Sequence, residues 1–300
     1  MAQSGEVVED LALLTASWRS IGLRGATVEW ELGRPARLTG SLASRLRSAL
    51  GPALAGAGAR AATLQSIPGD SAPPALWFLG WDCPPRPVLR LSAELRCVGA
   101  VAADWPELAR ALARVRLPAA GDLDALADAR RCSVTWHGQG QRTAARGEFG
   151  PPLVAEPDLD IAGGACLVEA LAPLQLRAAG RDVTGPPPLD VLVRSAGERL
   201  RQLASQWGAE PPALRSVVGR AVLEAREARL SWARAASDGF ERRSSRTGQR
   251  QVVRGVRGVF AYEGVTPLAM TVLALGAEVG AGKDTSFGCG WYRVHGARVG

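Results

Sequence analysis

The chain has 300 residues, 47% of them hydrophobic and 22% charged, which is the balance of a globular protein and excludes a disordered one. No apolar run reaches the roughly 18–20 residues that span a bilayer, and the start, MAQSGEVVED, lacks the basic-then-apolar layout of a secretory signal. The expectation is a cytoplasmic protein with no membrane partner. The net charge of +7 favours a polyanionic partner, while a GC-rich coding bias accounts for Lys283 being the only lysine.

In chain order, residues 5–21 have the mixed apolar spacing of a short amphipathic helix, and 26–32 (ATVEWEL) alternate as a strand. Thr39 is placed to cap a helix over 41–55, which Pro52 ends or kinks. Gly, Ala and Pro dominate from there to about 75 and predict loops. WFLGW (77–81) suggests an exposed aromatic patch for a partner. Strand, helix and strand follow at 88–101, 105–116 and 131–137.

Residues 146–160 are rich in Pro and Gly, and the domain boundary is placed there. Beyond it lie a strand at 164–176 broken at Pro173, and a helix at 189–207 with the strongest helical period in the chain. Residues 226–236 and 251–263 form a hairpin with a basic connection. Pro267 opens a helix to 279, and 291–295 close the chain as a strand.

The second half therefore reads strand, helix, strand, strand, helix, strand, the order of a ferredoxin-like unit. The fold class expected is α+β: two tandem ferredoxin-like domains, a degenerate one over 1–150 and a second over 151–300 with a C-terminal glycine-rich loop. Trp18, Trp30, Trp105, Trp207 and Trp232 fall on elements and are assigned to the core.

The five cysteines, Cys83, Cys97, Cys132, Cys166 and Cys289, are widely spaced without a CxxC. With only His137 and His295 beside them, neither a zinc site nor a disulfide framework is expected. Buried reduced thiols and no cofactor are the reading.

The loop GAGKDTSFGCG places Gly280, Gly282, Gly288 and Gly290 around Lys283, Thr285 and Ser286. Glycines let backbone N–H groups converge on an anion, Lys283 adds a point charge, and the hydroxyls add donors. Phe287 fits packing under the loop better than stacking a base. A nucleotide P-loop needs glycine where Ala277 stands and Ser or Thr where Asp284 stands, between a strand and a helix, so it does not fit. The second basic feature is the run Arg242, Arg243, Arg246, Arg250, Arg254 and Arg257, suited to phosphates on a hairpin. Tyr262 fits a core position with a satisfied hydroxyl.

The stretches ERRSSRTGQRQVVRGVRGVFAYEG (241–264) and GAEVGAGKDTSFGCGWYRV (276–294) resemble the C-terminal region of the endoribonucleases of the RAMP superfamily that process CRISPR precursor RNA. VEALAPLQLRAAGR (168–181) and the helix LDVLVRSAGERLRQL (189–203) fit the same family, and 89–112 fit more loosely. The resemblance implies two ferredoxin-like domains that bind a CRISPR repeat RNA and cut it once without metal. The RNA's own 2′-hydroxyl attacks the neighbouring phosphate, and the crRNA product often joins other subunits of an effector complex.

Relatives often place a histidine near the first helix of the first domain. Residues 25–55 contain none here, but this region and its border offer Arg24, Arg34, Arg37, Arg45, Arg47 and Ser41. Arginine is a poor base and a good stabiliser of a pentacovalent phosphate. Arg24 and Arg45 are the residues assigned to that role. His137, beside the GQGQR segment, is the candidate base, and His295 a weaker one. The alternative is a non-catalytic RAMP subunit that holds guide RNA within an effector complex.

Overall fold

The computed structural model describes residues 2–36, 42–55, 76–79, 86–98, 105–118, 126–136, 164–243 and 249–297. The boundary segment 146–160, Thr39, Cys83, His137 and Arg246 lie outside them.

Helix α1 (Ala2–Ile21) leads into β1 (Arg24–Ala36), α2 (Leu42–Ala55), β2 (Leu76–Leu79), β3 (Val88–Cys97), α3 (Trp105–Ala113), β4 (Arg116–Pro118) and β5 (Leu126–Trp136). Their sheet is ordered β2-β3-β1-β5-β4 and is antiparallel wherever pairing is described. Without the short β4, this is the ferredoxin-like order. Period-2 alternation turns Ala26, Val28, Trp30 and Leu32 inward, all buried, and leaves Glu29 and Glu31 exposed. The Trp30 indole N–H donates to the Leu112 carbonyl at 2.9 Å and so ties β1 to α3.

The second half opens with β6 (Gly164–Leu174) and a small ribbon of β7 (Arg177–Ala178) and β8 (Arg181–Asp182). Then come α4 (Leu189–Trp207), α5 (Leu214–Ala225), β9 (Arg229–Arg243), β10 (Arg250–Val265), α6 (Pro267–Val279), a 3-10 turn (Thr285–Phe287) and β11 (Tyr292–Ala297). The sheet order β11-β6-β10-β9 is again ferredoxin-like. The fold is thus α+β with two tandem ferredoxin-like units.

Local chemistry explains the best-matched elements. In α4, Leu189, Leu192, Val193, Leu200 and Leu203 form one buried stripe. In α6, Thr266 accepts from the Ala269 N–H at 3.3 Å and Pro267 takes the first turn, where no donor is needed. Helix α5 was not anticipated. Its buried residues, Leu214, Val217, Val218, Ala221, Val222 and Ala225, do repeat at helical spacing. Gly219 and the flanking arginines obscure that pattern, and no side chain caps its start.

Two tryptophan and patch assignments change. Trp77 and Phe78 are buried in β2, so the WFLGW segment is not an exposed patch over those residues. Trp232 is 54% exposed on the edge strand β9, so it is not core. Trp18 and Trp30 are buried as expected, and the half-buried Trp207 packs against the core. Cys97, Cys166 and Cys289 are buried and Cys132 is half-buried, and none of the four is in a disulfide.

One hydrophobic core runs through both halves. Helix α1 precedes the first sheet in sequence but packs on α4, α5 and α6. The half-exposed Arg220 of α5 pairs with Asp10 and Glu6 of α1, and Ser20 Oγ exchanges hydrogen bonds with Ala209.

Candidate nucleic-acid interface

The glycine-rich loop leaves α6 at Gly280 (φ 81°) and returns at Gly290 (φ 78°), with Asp284 also left-handed at φ 55°. It is laced onto the end of β6. The Lys283 N–H donates to the Gln175 carbonyl at 3.1 Å and the Gly290 N–H to the Pro173 carbonyl at 3.0 Å. At Gly282 a Cβ would meet the Gln175 carbonyl oxygen at 2.5 Å, so no larger residue allows this approach.

Internal bonds also use other loop donors. The N–H of Ala281 donates to Gly290, that of Phe287 to Asp284, and that of Gly288 to Thr285. The loop is therefore a rigid presenter of side chains more than an open nest of N–H groups. Lys283 is exposed and Ser286 half-buried, whereas Thr285 is buried with its methyl against Gly280.

The loop lies where the two halves meet. Its 3-10 turn packs against α2 and β2 of the first half. There the Arg47 guanidinium carbon sits 4.9 Å from the centre of the Phe287 ring. Phe287 thus packs, as expected, and its partner is a cation from the other half. Two further contacts cross the junction: Arg199 of α4 lies 5.4 Å over the Trp77 ring, and Arg96 of β3 pairs with Glu278 of α6 at 2.9 Å. Arg199 is buried, and burial lowers its pKa to about 10.

Arg45 is half-buried on α2, the helix against the loop. Arg24 is half-buried at the start of β1, in a row across the sheet with Cys97 of β3 and Leu76 of β2. Burial lowers its pKa, and the neighbouring Cys97 opposes that shift. The same burial pushes the Cys97 thiol up to about 12.

A cleft of about 510 Å³ opens between the halves, lined by Glu94, Arg96, Glu278, Trp291, Arg293 and His295 among others. His295 is exposed, with Nε2 3.6 Å from a Glu169 carboxylate oxygen. Tyr262 is a core residue whose hydroxyl donates to the Pro187 carbonyl at 2.7 Å.

The basic hairpin projects past the sheet, because β6 pairs with β10 only from Val256 onward. Across it, Arg250 faces Arg243, Gln251 faces Arg242, and Arg254 faces Gly239. Arg250 and Arg254 are exposed and share one side by strand alternation. Arg257 is half-buried and paired with Asp238 at 3.5 Å. Among the described residues no group of three or more His, Cys, Asp or Glu could hold a metal ion, and no helix is long and apolar enough to cross a membrane.

Residues 168–292 match the family model of the CRISPR-associated endoribonuclease Cas6. A solved Cas6 product complex is 18% identical, with a TM-score of 0.54, covering 91% of this chain and 99% of that one. Thermus thermophilus Cas6 is 12% identical, with a TM-score of 0.54, covering 91% and 98%. A chain of a partial Cas6-RT-Cas1–Cas2 complex is 13% identical, with a TM-score of 0.53, covering 92% of this chain and 46% of that one. No curated protein sequence matches the chain. At these identities the structural likeness is one of fold.

Proposed function

The chain resembles the Cas6 family of CRISPR endoribonucleases, through its sequence over residues 168–292 and through its fold over both halves, and from that premise we propose that it binds CRISPR repeat RNA and cuts it once, without metal, to release mature crRNA. The observation that carries the reading is the junction itself. A rigid glycine-rich loop of the second half meets the arginine-bearing helix α2 of the first, with a basic hairpin in the same half as the loop. In this reading residues 1–150 carry the cleavage site and 151–300 grip the RNA.

Arg242, Arg243, Arg246, Arg250 and Arg254 hold the RNA backbone on the hairpin, where guanidinium groups match phosphate oxygens. Gly280, Gly282, Gly288 and Gly290 shape the loop, Lys283 and Ser286 supply its charge and hydroxyl, and the buried Thr285, expected to bind as well, packs inside it. A 2′-oxygen attacks the adjacent phosphorus as the bond to the 5′-oxygen breaks. The 2′-proton passes to a base, for which His137 is the candidate, and a proton reaches the departing 5′-oxygen. The products are a 2′,3′-cyclic phosphate and a 5′-hydroxyl. Arg24 and Arg45 stabilise charge on the phosphate, and in-line positioning supplies much of the rate.

One observation favours a second reading: residues 25–55 contain no histidine. In that reading the chain is a non-catalytic guide-RNA-binding subunit of an effector complex. Incubation of the protein with the CRISPR repeat RNA of the same genome in EDTA separates the two. One cut with a cyclic phosphate end is expected. Tight binding without a cut supports the subunit, and no preference for the repeat over shuffled RNA overturns both.

A further inference from the structure

We propose that the edge strand β9 pairs with β9 of a second copy of this chain, antiparallel and centred on Ala236, so that the two second-half sheets join into one. This edge differs from the others. β9 runs for 15 residues, against 6 in β11, 4 in β2 and 3 in β4. Among the described strands only β10 pairs with it, and its other side is a row of backbone donors and acceptors ready for a further strand. Proteins guard such edges with proline, lysine or short length. β9 contains neither residue, and Arg234, Ala235, Ala236 and Ser237 at its middle are all exposed. Three small side chains there leave the backbone open to approach.

The strand's own pattern selects a second copy. Its register with β10 is regular from Arg243 to Trp232, so alternation puts Trp232, Arg234, Ala236, Asp238 and Phe240 on one face. Residues directly opposite in an antiparallel pair share a face and interact. A two-fold axis at Ala236 therefore sets Arg234 of each copy across from Asp238 of the other, and Trp232 across from Phe240. Symmetry makes each pair occur twice. On the other face Ala233 meets Gly239 and Ala235 meets Ser237, all small. An axis at Ala235 instead puts Trp232 across from Asp238, and one at Ser237 puts Arg234 across from Phe240. The Ala236 register alone of the three matches charge with charge and ring with ring. Asp238 is already held by Arg257 at 3.5 Å and by the Gly239 N–H at 2.7 Å, and a carboxylate has acceptor sites left for a further guanidinium. Trp232, 54% exposed, is the apolar surface this pairing covers.

Sedimentation velocity of the full chain without RNA, from about 1 to 100 µM, reads the assembly. One strand pair is a small interface, so a dimer with a micromolar dissociation constant is expected. Trp232→Ser and Arg234→Asp change exposed side chains, and each is expected to raise that constant more than about tenfold. Asp238→Arg is expected to do the same. A mixture of the Arg234→Asp and Asp238→Arg chains is expected to dimerise again, because each carboxylate then faces a guanidinium of the other copy. Damage to either chain alone cannot produce that recovery. A monomeric wild type over this range overturns the proposal, as does a dimer indifferent to Trp232→Ser and Arg234→Asp, or a mixture of folded single variants that stays monomeric. A monomeric wild type whose binding to repeat RNA is weakened by Trp232→Ser assigns the face to nucleic acid instead.

Discussion

At Gly290 the backbone has φ 78°, and a Cβ would collide with the Ala281 carbonyl oxygen. Gly290→Ala is therefore expected to destabilise the fold by about 1–3 kcal/mol and to weaken RNA binding, because the loop cannot close on β6. Urea unfolding and RNA titration of the variant check this, and a neutral result in both contradicts it. The titratable groups give a second residue-scale prediction. Burial pushes the thiols of Cys97, Cys132 and Cys166 up to about 12 from 9.0, so the native state keeps protons that the unfolded chain loses above pH 9. Stability contributed by these thiols is present below pH 9 and is lost as pH rises towards 12. Burial raises the Tyr262 and Tyr292 hydroxyls too, which acts in the same direction at higher pH, whereas the lowered Arg199 opposes it above about 10. The urea midpoint is expected to fall between pH 8 and 10, and a rise contradicts the assignment. Arg47, Phe287, Arg199 and Trp77 show where single residues stop being legible. Each was visible in the sequence, but their pairings exist only once the two halves are packed.

Among the elements, α4 and α6 were readable to the residue. Their apolar stripe and their Pro-and-Thr start are local signals, and the fold uses them unchanged. Helix α5 was missed although its period was present, because its charged residues alternate with the buried ones inside a short span. Helix α1 was found, but its neighbours were not. Sequence order places it beside β1, while its buried face, with Leu14, Trp18 and Ile21, belongs against α4, α5 and α6. Its polar side confirms that docking. Asp10 is 6% exposed and pairs with Arg220. Asp10→Ala is expected to lower the urea midpoint, because it removes the buried one of the two carboxylates that hold Arg220. A urea midpoint unchanged from wild type contradicts this role for α1.

Over the whole molecule, the repeated strand order was legible because β-branched and aromatic runs, glycines and prolines mark each strand end. The arrangement of the two units was not, since it depends on a few long-range contacts: Arg96 with Glu278, Arg199 with Trp77, and Arg47 with Phe287. Those contacts bring the glycine-rich loop to α2, and the proposed chemistry depends on that meeting. The most direct measurement is single-turnover incubation with the repeat RNA in EDTA, alongside the same RNA carrying one 2′-deoxy nucleotide immediately 5′ to the cut phosphate. A single cut ending in a 2′,3′-cyclic phosphate, abolished by the 2′-deoxy substitution with binding retained, is the predicted result. Equal cutting of the substituted RNA, or tight binding of the unsubstituted RNA with no cut at all, contradicts it.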